Sequence, residues 1–449
     1  MNWARRAGWY AAAPLFGLLL YWRVPFTWFV NDDFAWLGLP LLLRRGDSLL
    51  HVLFTPFAQG TVRVLSERVF FLVFSEWFGL HALPYRIWIL ATWIAAVTLA
   101  LLVGKELAGS KAAGLIAALL WAVNTNAVPA VAWASAYNQT LCAVCLLGAF
   151  YSRLRGWRAA EWIAYLAGFG ALELIVAYPL IAALHMLCTD RKDHRKLLRG
   201  TGLLFVPAAL FAAVQILFIP KAPGPVYALS FDRRLPGTLA AYLGWMFQPG
   251  SSALGAHAAV VRGIELGAGL IIGAALAAFS VREILRGERL ALFCWGWFAI
   301  LLAPVLPLAN HLTSYYLTLP AIGLAWLGGW AIKSAWRAGW VWRGAAAAIA
   351  GLYVLGCAAG VNAQTRWFQS RAARMHQLVD AVAAEAAAHP GAAIAVQGVD
   401  DELYESGFRD DPFRLVGAAR VAANVSIPDG SGTVRVLRVS PAGVQDITP

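Results

Sequence analysis

The sequence predicts an all-α polytopic membrane protein of about eleven transmembrane helices, with a small external α/β appendage at its C-terminus. Three observations carry that expectation. The 449 residues are 60% hydrophobic and only 13% charged, about half the charge that a soluble surface carries. Apolar runs long enough to cross a hydrocarbon core of about 30 Å recur along the chain. Basic residues gather in the short segments between alternate runs, as orientation in a bilayer requires. The 21 tryptophans fit the same class, because Trp collects where acyl chains meet headgroups. A soluble enzyme, a disordered chain and a disulfide-stapled secreted domain are excluded.

The net charge of +12 resolves when it is divided. Residues 363–449 hold 8 of the 36 basic and 10 of the 24 acidic residues, so the positive excess belongs to residues 1–362. It lies in short loops, where charge sets topology, and no nucleic-acid partner is expected.

Apolar runs near 8–29, 84–103, 112–128, 138–152, 198–219, 262–281, 289–308, 315–332 and 343–361 each suit one helix. The first follows Arg5 and Arg6 like a signal peptide, but no small-residue cleavage site precedes Asp32, so it reads as an uncleaved anchor. The run at 160–188 is too long for one pass and holds Glu173 at its middle. It reads as two short helices meeting near Glu173, or as one steep helix. With Arg5 and Arg6 inside, the inner loops carry Lys105/Lys111, Arg153/Arg155/Arg158, Arg191 to Arg199, Arg282/Arg286/Arg289 and Lys333/Arg337/Arg343. That pattern requires 160–188 to cross twice, and it places the N-terminus in the cytoplasm and the C-terminus outside. The expected location is the bacterial inner membrane, with the C-terminus periplasmic.

Two external loops are then long, 30–83 and 220–261. The first has an amphipathic stretch from Val62 to Phe78 suited to the membrane surface. The second is rich in Pro and Gly, carries Arg233 and Arg234, and is apolar from Leu239 to Phe247. Loops of this length commonly bind something. A transmembrane domain, 1–362, gives way to a small external domain, 363–449, with helical periodicity from Arg366 to Ala388 and strands at Ala392 to Gln397 and Val434 to Val439. The five cysteines all lie in or beside apolar runs, and the Cys142-x-x-Cys145 pair inside a helix reads as packing.

The first external loop opens with Phe29-Val30-Asn31-Asp32-Asp33-Phe34. Two adjacent carboxylates at a helix end read either as a polar stop with a solvated turn or as a general base tuned by its neighbour. Arg63 and Arg68 lie at helical spacing farther along this loop. Trp133, Ser135, Tyr137 and Asn138 sit at the outer end of a helix pair, Glu173 at the apex of the split run, and Asn310-His311-Leu312-Thr313-Ser314-Tyr315-Tyr316 opens the tenth helix. All fall on one side of the membrane. Singly each suits a structural role, since arginines snorkel and Tyr and His favour the interface.

Together these residues resemble the C-superfamily of membrane glycosyltransferases (GT-C), closest to the protein O-mannosyltransferase group. Asp32-Asp33 matches the superfamily's acidic pair. Arg63, then Val69 to Gly79 and Leu83-Pro84-Tyr85-Arg86, is similar to its Arg-Pro, phenylalanine-glycine and P-x-Y-H/R segment. Pro129-Ala130-Val131-Ala132-Trp133 resembles P-x-x-E-x-V-A-W, Ala171 to Pro179 a Lys-Glu segment ending in proline, and Ser314 to Pro320 the E-R-Y-x-Y-L-P segment. The resemblance spans roughly residues 10–330 in order. Leu172 stands for the family lysine, Val64 for the proline after arginine, and Ser314-Tyr315 for the Glu-Arg pair.

The resemblance implies a polyprenyl-phosphate-linked sugar donor and an acceptor protein, glycan or lipid, met at the external face among membrane lipids. One of Asp32 and Asp33 would take the acceptor's proton, with inversion at the anomeric carbon. The other would orient the acceptor or help to hold Mg²⁺ or Mn²⁺. Arg63, His311, Tyr315 and Tyr316 would face the lipid phosphate, with Trp133 and Asn138 toward substrate, and Glu173 would either bind acceptor or sugar hydroxyls or only satisfy the helix break. Two other classes stay open: a lipid or sugar transporter or flippase, and a non-catalytic GT-C-like scaffold.

Overall fold

The computed structural model describes residues 2–56, 61–189, 200–219, 226–250, 259–424, 434–440 and 443–448. The basic segment Arg191 to Arg199, and residues 220–225 and 251–258 of the second long loop, lie outside the described residues. The structure is mostly helical, with a small sheet near the C-terminus. Among the described residues three helices are long and apolar enough to cross a membrane, within Ala82–Ala108, Gly263–Leu285 and Trp340–Ala388. A bent pair, Lys111–Ala122 and Thr125–Ala132, adds a fourth if counted as one span, and shorter apolar helices stand among them.

Helix α1 (Asn2–Leu20) leads into the first long loop. That loop is built of short helices: α2 (Asp33–Leu37), α3 (Leu39–Arg44), α4 (Leu49–Phe54), a π-helical turn at Val64–Val69, and α5 (Phe70–Phe78). Helix α6 (Ala82–Ala108) stops at Gly109, whose φ of +54° a side chain would strain, and Ser110 caps α7 (Lys111–Ala122) by accepting from the Ala113 N–H. Asn124 breaks the next span: its side chain accepts from Asn126 N, and Pro129 starts the short α8 (Val128–Ala132). The chain there bends by 61°.

Helix α9 (Tyr137–Arg155) turns back at Gly156 into α10 (Arg158–Gly168). The run at 160–188 is broken: after α10 a 3₁₀ turn at Glu173–Ala177 precedes α11 (Tyr178–Thr189). Two short helices therefore meet near Glu173. Farther on come α12 (Phe205–Leu217), α13 (Leu235–Phe247), α14 (Ala259–Leu285), α15 (Leu290–Leu302), α16 (Ala321–Ala338) and α17 (Trp340–Ala388).

The composition break at residues 362–363 falls inside α17, which runs 49 residues without interruption. The physical reason is local, since nothing between Val361 and His389 is a helix breaker. The lobe that follows has strands β1 (Ala393–Gln397), β2 (Val421–Ala423), β3 (Val434–Ser440) and β4 (Gly443–Asp446), ordered β2-β1-β3-β4. β1 is central, parallel to both neighbours with Ile394 opposite Val421 and Ala395 opposite Val436, and β4 is antiparallel to β3.

Packing in the helical part follows membrane rules, where small residues let backbones approach. A Cβ on Gly114 of α7 would lie 2.5 Å from the Leu101 carbonyl of α6, and one on Gly329 of α16 only 2.4 Å from the Ala113 carbonyl of α7. The tryptophans divide in two. Trp77, Trp157, Trp340 and Trp342 are exposed, whereas Trp93, Trp121, Trp297 and Trp326 are core residues. Three of the buried ones use the indole N–H to pin backbone: Trp121 donates to Thr318 O, Trp297 to Leu319 O and Trp326 to Ala100 O. Leu210, Ile216, Leu270 and Leu355 lie bare on the outside, a placement suited to hydrocarbon. One continuous apolar core runs from these helices into the lobe, where it includes Ile394, Phe408, Phe413 and Leu437.

Candidate active site

The acidic pair separates into two different groups. Asn31 adopts φ +54°, a left-handed conformation that Asn tolerates, and this turns Asp33 inward. Asp33 Oδ2 accepts from the Val30 N–H at 3.1 Å, and Oδ1 accepts from Ser135 N at 2.7 Å and Ser135 Oγ at 2.6 Å. Arg86 stands 3.7 Å away, with both side chains fully buried. Arg86 itself donates to the carbonyls of Thr27, Trp28 and Ala132. Burial pushes the Asp33 carboxyl up, while Arg86 and the Ser135 and Val30 donors pull it back. Asp33 is thus a staple joining the first loop, α6 and the Trp133–Ser135 segment.

Asp32 points elsewhere. Its Oδ1 is buried and receives no hydrogen bond. Burial, with Asp33 beside it, pushes its carboxyl up to about 8 against the pull of the nearby Ser135 hydroxyl, and Asp410 and Glu67 add to the rise. A carboxyl in that state takes up or gives a proton near neutral pH.

Arg63 and Glu173 meet across 110 residues. Arg63 Nε lies 3.0 Å from both Glu173 oxygens, and its NH1 donates to Glu67 Oε1 at 2.7 Å. The π-helical turn that follows is bound to the break before Glu173, because Leu65 N and Ser66 N donate to Gly170 O and Ser66 Oγ donates to Ala171 O. The predicted phosphate-facing cation is therefore already balanced by two carboxylates. Arg68 packs over the Trp36 ring and donates to the Thr55 and Thr61 carbonyls, which anchors the loop.

An aromatic wall closes the other side. The Trp133 and Tyr315 rings meet edge-on at 6.0 Å, Tyr315 meets Tyr316 at 4.8 Å, Tyr316 meets His311 at 5.9 Å, and His311 meets Tyr227 at 4.5 Å. Burial lowers the His311 pKa, which favours the neutral ring, and its Nε2 is buried without a hydrogen bond. Tyr315 lies within electrostatic reach of both Arg63 and Asp32, which ties the wall to the ion network and the acid. Asn138 donates to Ser135 O, leaving its buried Oδ1 unmatched, as is Trp133 Nε1. Arg234 is engaged by Asp232 and by Asn310 Oδ1.

Asp32, Asp33, Trp133, Asn138 and Tyr315 thus gather at one place, with His311 and Tyr316 behind Tyr315 and the Arg63–Glu173 pair at the flank. The sequence reading missed Glu67, the anchoring role of Arg86, and Asp410. Glu67 and Arg86 stood inside recognisable segments, but Asp410 comes from the C-terminal lobe and carried no signal.

Val30 and Ser135 already donate to the Asp33 oxygens, with Arg86 3.7 Å away, and among the described residues no group of three His, Cys, Asp or Glu converges.

An apolar cavity of about 330 Å³ opens between α14, α16 and α17, lined by Trp121, Met246, Phe279, Leu324, Ile349 and Tyr353 among others, with Arg282 at one end. Its Trp121 end touches the turn after Tyr315, through the Trp121–Thr318 hydrogen bond.

No protein-family model and no curated protein matches this sequence. Among solved structures it is similar to the archaeal oligosaccharyltransferase AglB from Archaeoglobus fulgidus, in complex with an inhibitory peptide and a dolichol-phosphate, with TM-score 0.54 and 12% identity over 94% of this chain. The chain spans 65% of that protein's length. It also matches ArnT from Cupriavidus metallidurans bound to undecaprenyl phosphate, with TM-score 0.48 and 14% identity over 93% of this chain and 86% of that one. At such identity the likeness is one of fold alone.

Proposed function

We propose that the protein is an integral-membrane glycosyltransferase that moves a sugar from a polyprenyl-phosphate-linked donor to an acceptor hydroxyl on a protein, glycan or lipid at the external membrane face. The observation that carries this reading is the unequal acidic pair: Asp33 is held by four groups, while Asp32 keeps a buried, unengaged oxygen and a carboxyl near 8.

Asp32 removes the proton from the acceptor hydroxyl as its oxygen attacks the anomeric carbon. The bond from that carbon to the phosphate oxygen breaks, the phosphate leaves with the electron pair, and the configuration inverts. Asp33 is a positioning residue that fixes the turn carrying Asp32. The leaving phosphate gathers negative charge, which N–H and O–H donors stabilise. Tyr315, Tyr316 and His311 supply such groups, and the phosphate displaces Glu173 from Arg63. Asn138 and Trp133, each with an unmatched polar atom, face substrate. The prenyl chain lies in the apolar cavity beneath the Tyr315 turn.

The chain crosses the membrane about eleven times, with the N-terminus in the cytoplasm and the lobe outside, in a bacterial inner membrane. Contacts support this sidedness. Segments assigned inside touch one another: Arg155 reaches Glu106 at 3.7 Å, Arg153 donates to Gly200 O and Arg289 to Leu187 O. Segments assigned outside likewise meet at Asp33–Ser135 and Arg63–Glu173.

Asp32→Asn tests the reading. In detergent or nanodiscs it should still bind decaprenyl phosphate, while sugar transfer from decaprenyl-phosphate-linked donors falls by about 10²–10⁴-fold, the usual contribution of a positioned base. Transfer at the wild-type rate would refute it.

A further inference from the structure

The C-terminal lobe does more than decorate the external face, because it reaches the acidic loop directly. The segment after β1 passes through the short helix α18 (Asp401–Glu405) and then docks on residues 31–38. Asn31 N donates to Ser406 O at 2.7 Å. A Cβ on Gly407 would lie 2.3 Å from the Phe34 ring, so only glycine allows this approach. Arg414 donates to Phe34 O, its guanidinium lies against Gly38, and the His376 ring of α17 stacks on Trp28 at 4.3 Å.

This docking brings Asp410 to the site. Asp410 feels Asp32 electrostatically, and its Oδ2 is buried without a hydrogen bond, the nearest cationic atom being Arg409 Nε at 4.0 Å. Asp32 and Arg414, both within electrostatic reach of Asp410, and Asn31, bonded to the lobe at Ser406, also carry buried unmatched atoms: Asp32 Oδ1, Arg414 Nε and Asn31 Oδ1. Three unmatched acceptors and one unmatched donor suit a ligand that both donates and accepts, as hydroxyl groups do. An ammonium would satisfy only the oxygens and a phosphate only the guanidinium. The segment also follows the C-terminal end of β1, the strand at which the order of the parallel sheet reverses, where α/β sheets usually bind ligands.

We propose that Asp410 is a sugar-binding residue of the Asp32 site, hydrogen-bonded to a hydroxyl of the transferred or the accepting sugar, and so determines which sugar is used. This rests on the transferase reading above. It makes the lobe the fourth wall of the site, with Asn31, Asp410 and Arg414 facing hydroxyls while Asp32 handles the proton.

The test compares full-length wild type with Asp410→Asn in nanodiscs. Affinity is measured for bare decaprenyl phosphate and for a panel of decaprenyl-phosphate-linked hexoses and pentoses, and KM for methyl glycosides as acceptors. Bare-lipid affinity should be unchanged. A loss of about ten- to a hundredfold, the size of a hydrogen bond to a charged group, should appear in one of two places. Loss of affinity for the preferred glycolipid assigns Asp410 to the donor sugar. A raised acceptor KM with glycolipid affinity intact assigns it to the acceptor. Unchanged values in both arms, with wild-type turnover, overturn the inference and leave the transferase reading standing. A wild-type protein that binds no decaprenyl phosphate and transfers from no donor of the panel sinks both. Where Asp410→Asn lowers the unfolding temperature, Asp410→Ser replaces it, and failure of both to fold assigns Asp410 to packing and overturns the inference.

Discussion

Two neighbouring aspartates of identical chemistry differ in environment alone, and the difference has measurable signs. Asp32 must be ionised to accept a proton, and burial holds it up to about 8. Only about one tenth is then ionised at pH 7. The transfer rate should climb nearly tenfold per unit below pH 8 and level off above it. A profile flat from pH 6 to 9 would exclude Asp32 as the base. Asp33 and Arg86 obey the opposite logic, since they are fully buried and mutually paired. Arg86→Met strands the Asp33 charge and frees three carbonyls, and should cost about 3–5 kcal/mol, read as a lowered unfolding temperature in detergent. The pair itself was legible in the sequence, because two acids side by side are conspicuous in an apolar chain. Which of them stays free was not, because Ser135 and Arg86, distant in sequence, decide it.

Among elements, the breaks carry the information and the spans carry the packing. The apolar runs and Glu173 at the centre of 160–188 were readable from composition, and a break does stand there. Its cause was not readable, because Glu173 ends in a salt bridge with Arg63, 110 residues away. The basic residues between the apolar runs also make structural contacts. Arg153 and Arg158 both grip buried Glu161, which also accepts from Tyr178 Oη at 2.8 Å. Helix approach depends on glycines that no hydropathy count distinguishes. Gly329→Val drives branched carbons into the Ala113 carbonyl and should destabilise the α7–α16 contact by about 1–3 kcal/mol. Gly344→Val, at a position with open space, serves as the control and should shift the unfolding temperature little.

At the scale of the whole molecule, the acidic loop, the helix break, the tyrosine turn and the lobe converge on one end of the helical body. Composition announced the membrane and the existence of the lobe. It did not announce that the lobe closes the site, since Asn31–Ser406 and Phe34–Arg414 are contacts between opposite ends of the chain. Helix α17 links the two parts and is about 74 Å long at 1.5 Å per residue. Arg371 and Arg374, in its C-terminal half, hold the lobe through Ser406, Asp400 and Glu402. Such a rod transmits rotation as faithfully as position. One alanine inserted after Arg366 turns everything beyond it by about 100° and lifts it by about 1.5 Å, swinging Asp410 away from Asp32. Transfer should collapse while the membrane part stays folded. An insertion of seven residues restores the heading to within about 20° but raises the lobe by about 10 Å, so it too should fail. The length of α17 is thereby set in both angle and height, and drift in either unseats the lobe from a site more than three hundred residues earlier in the chain.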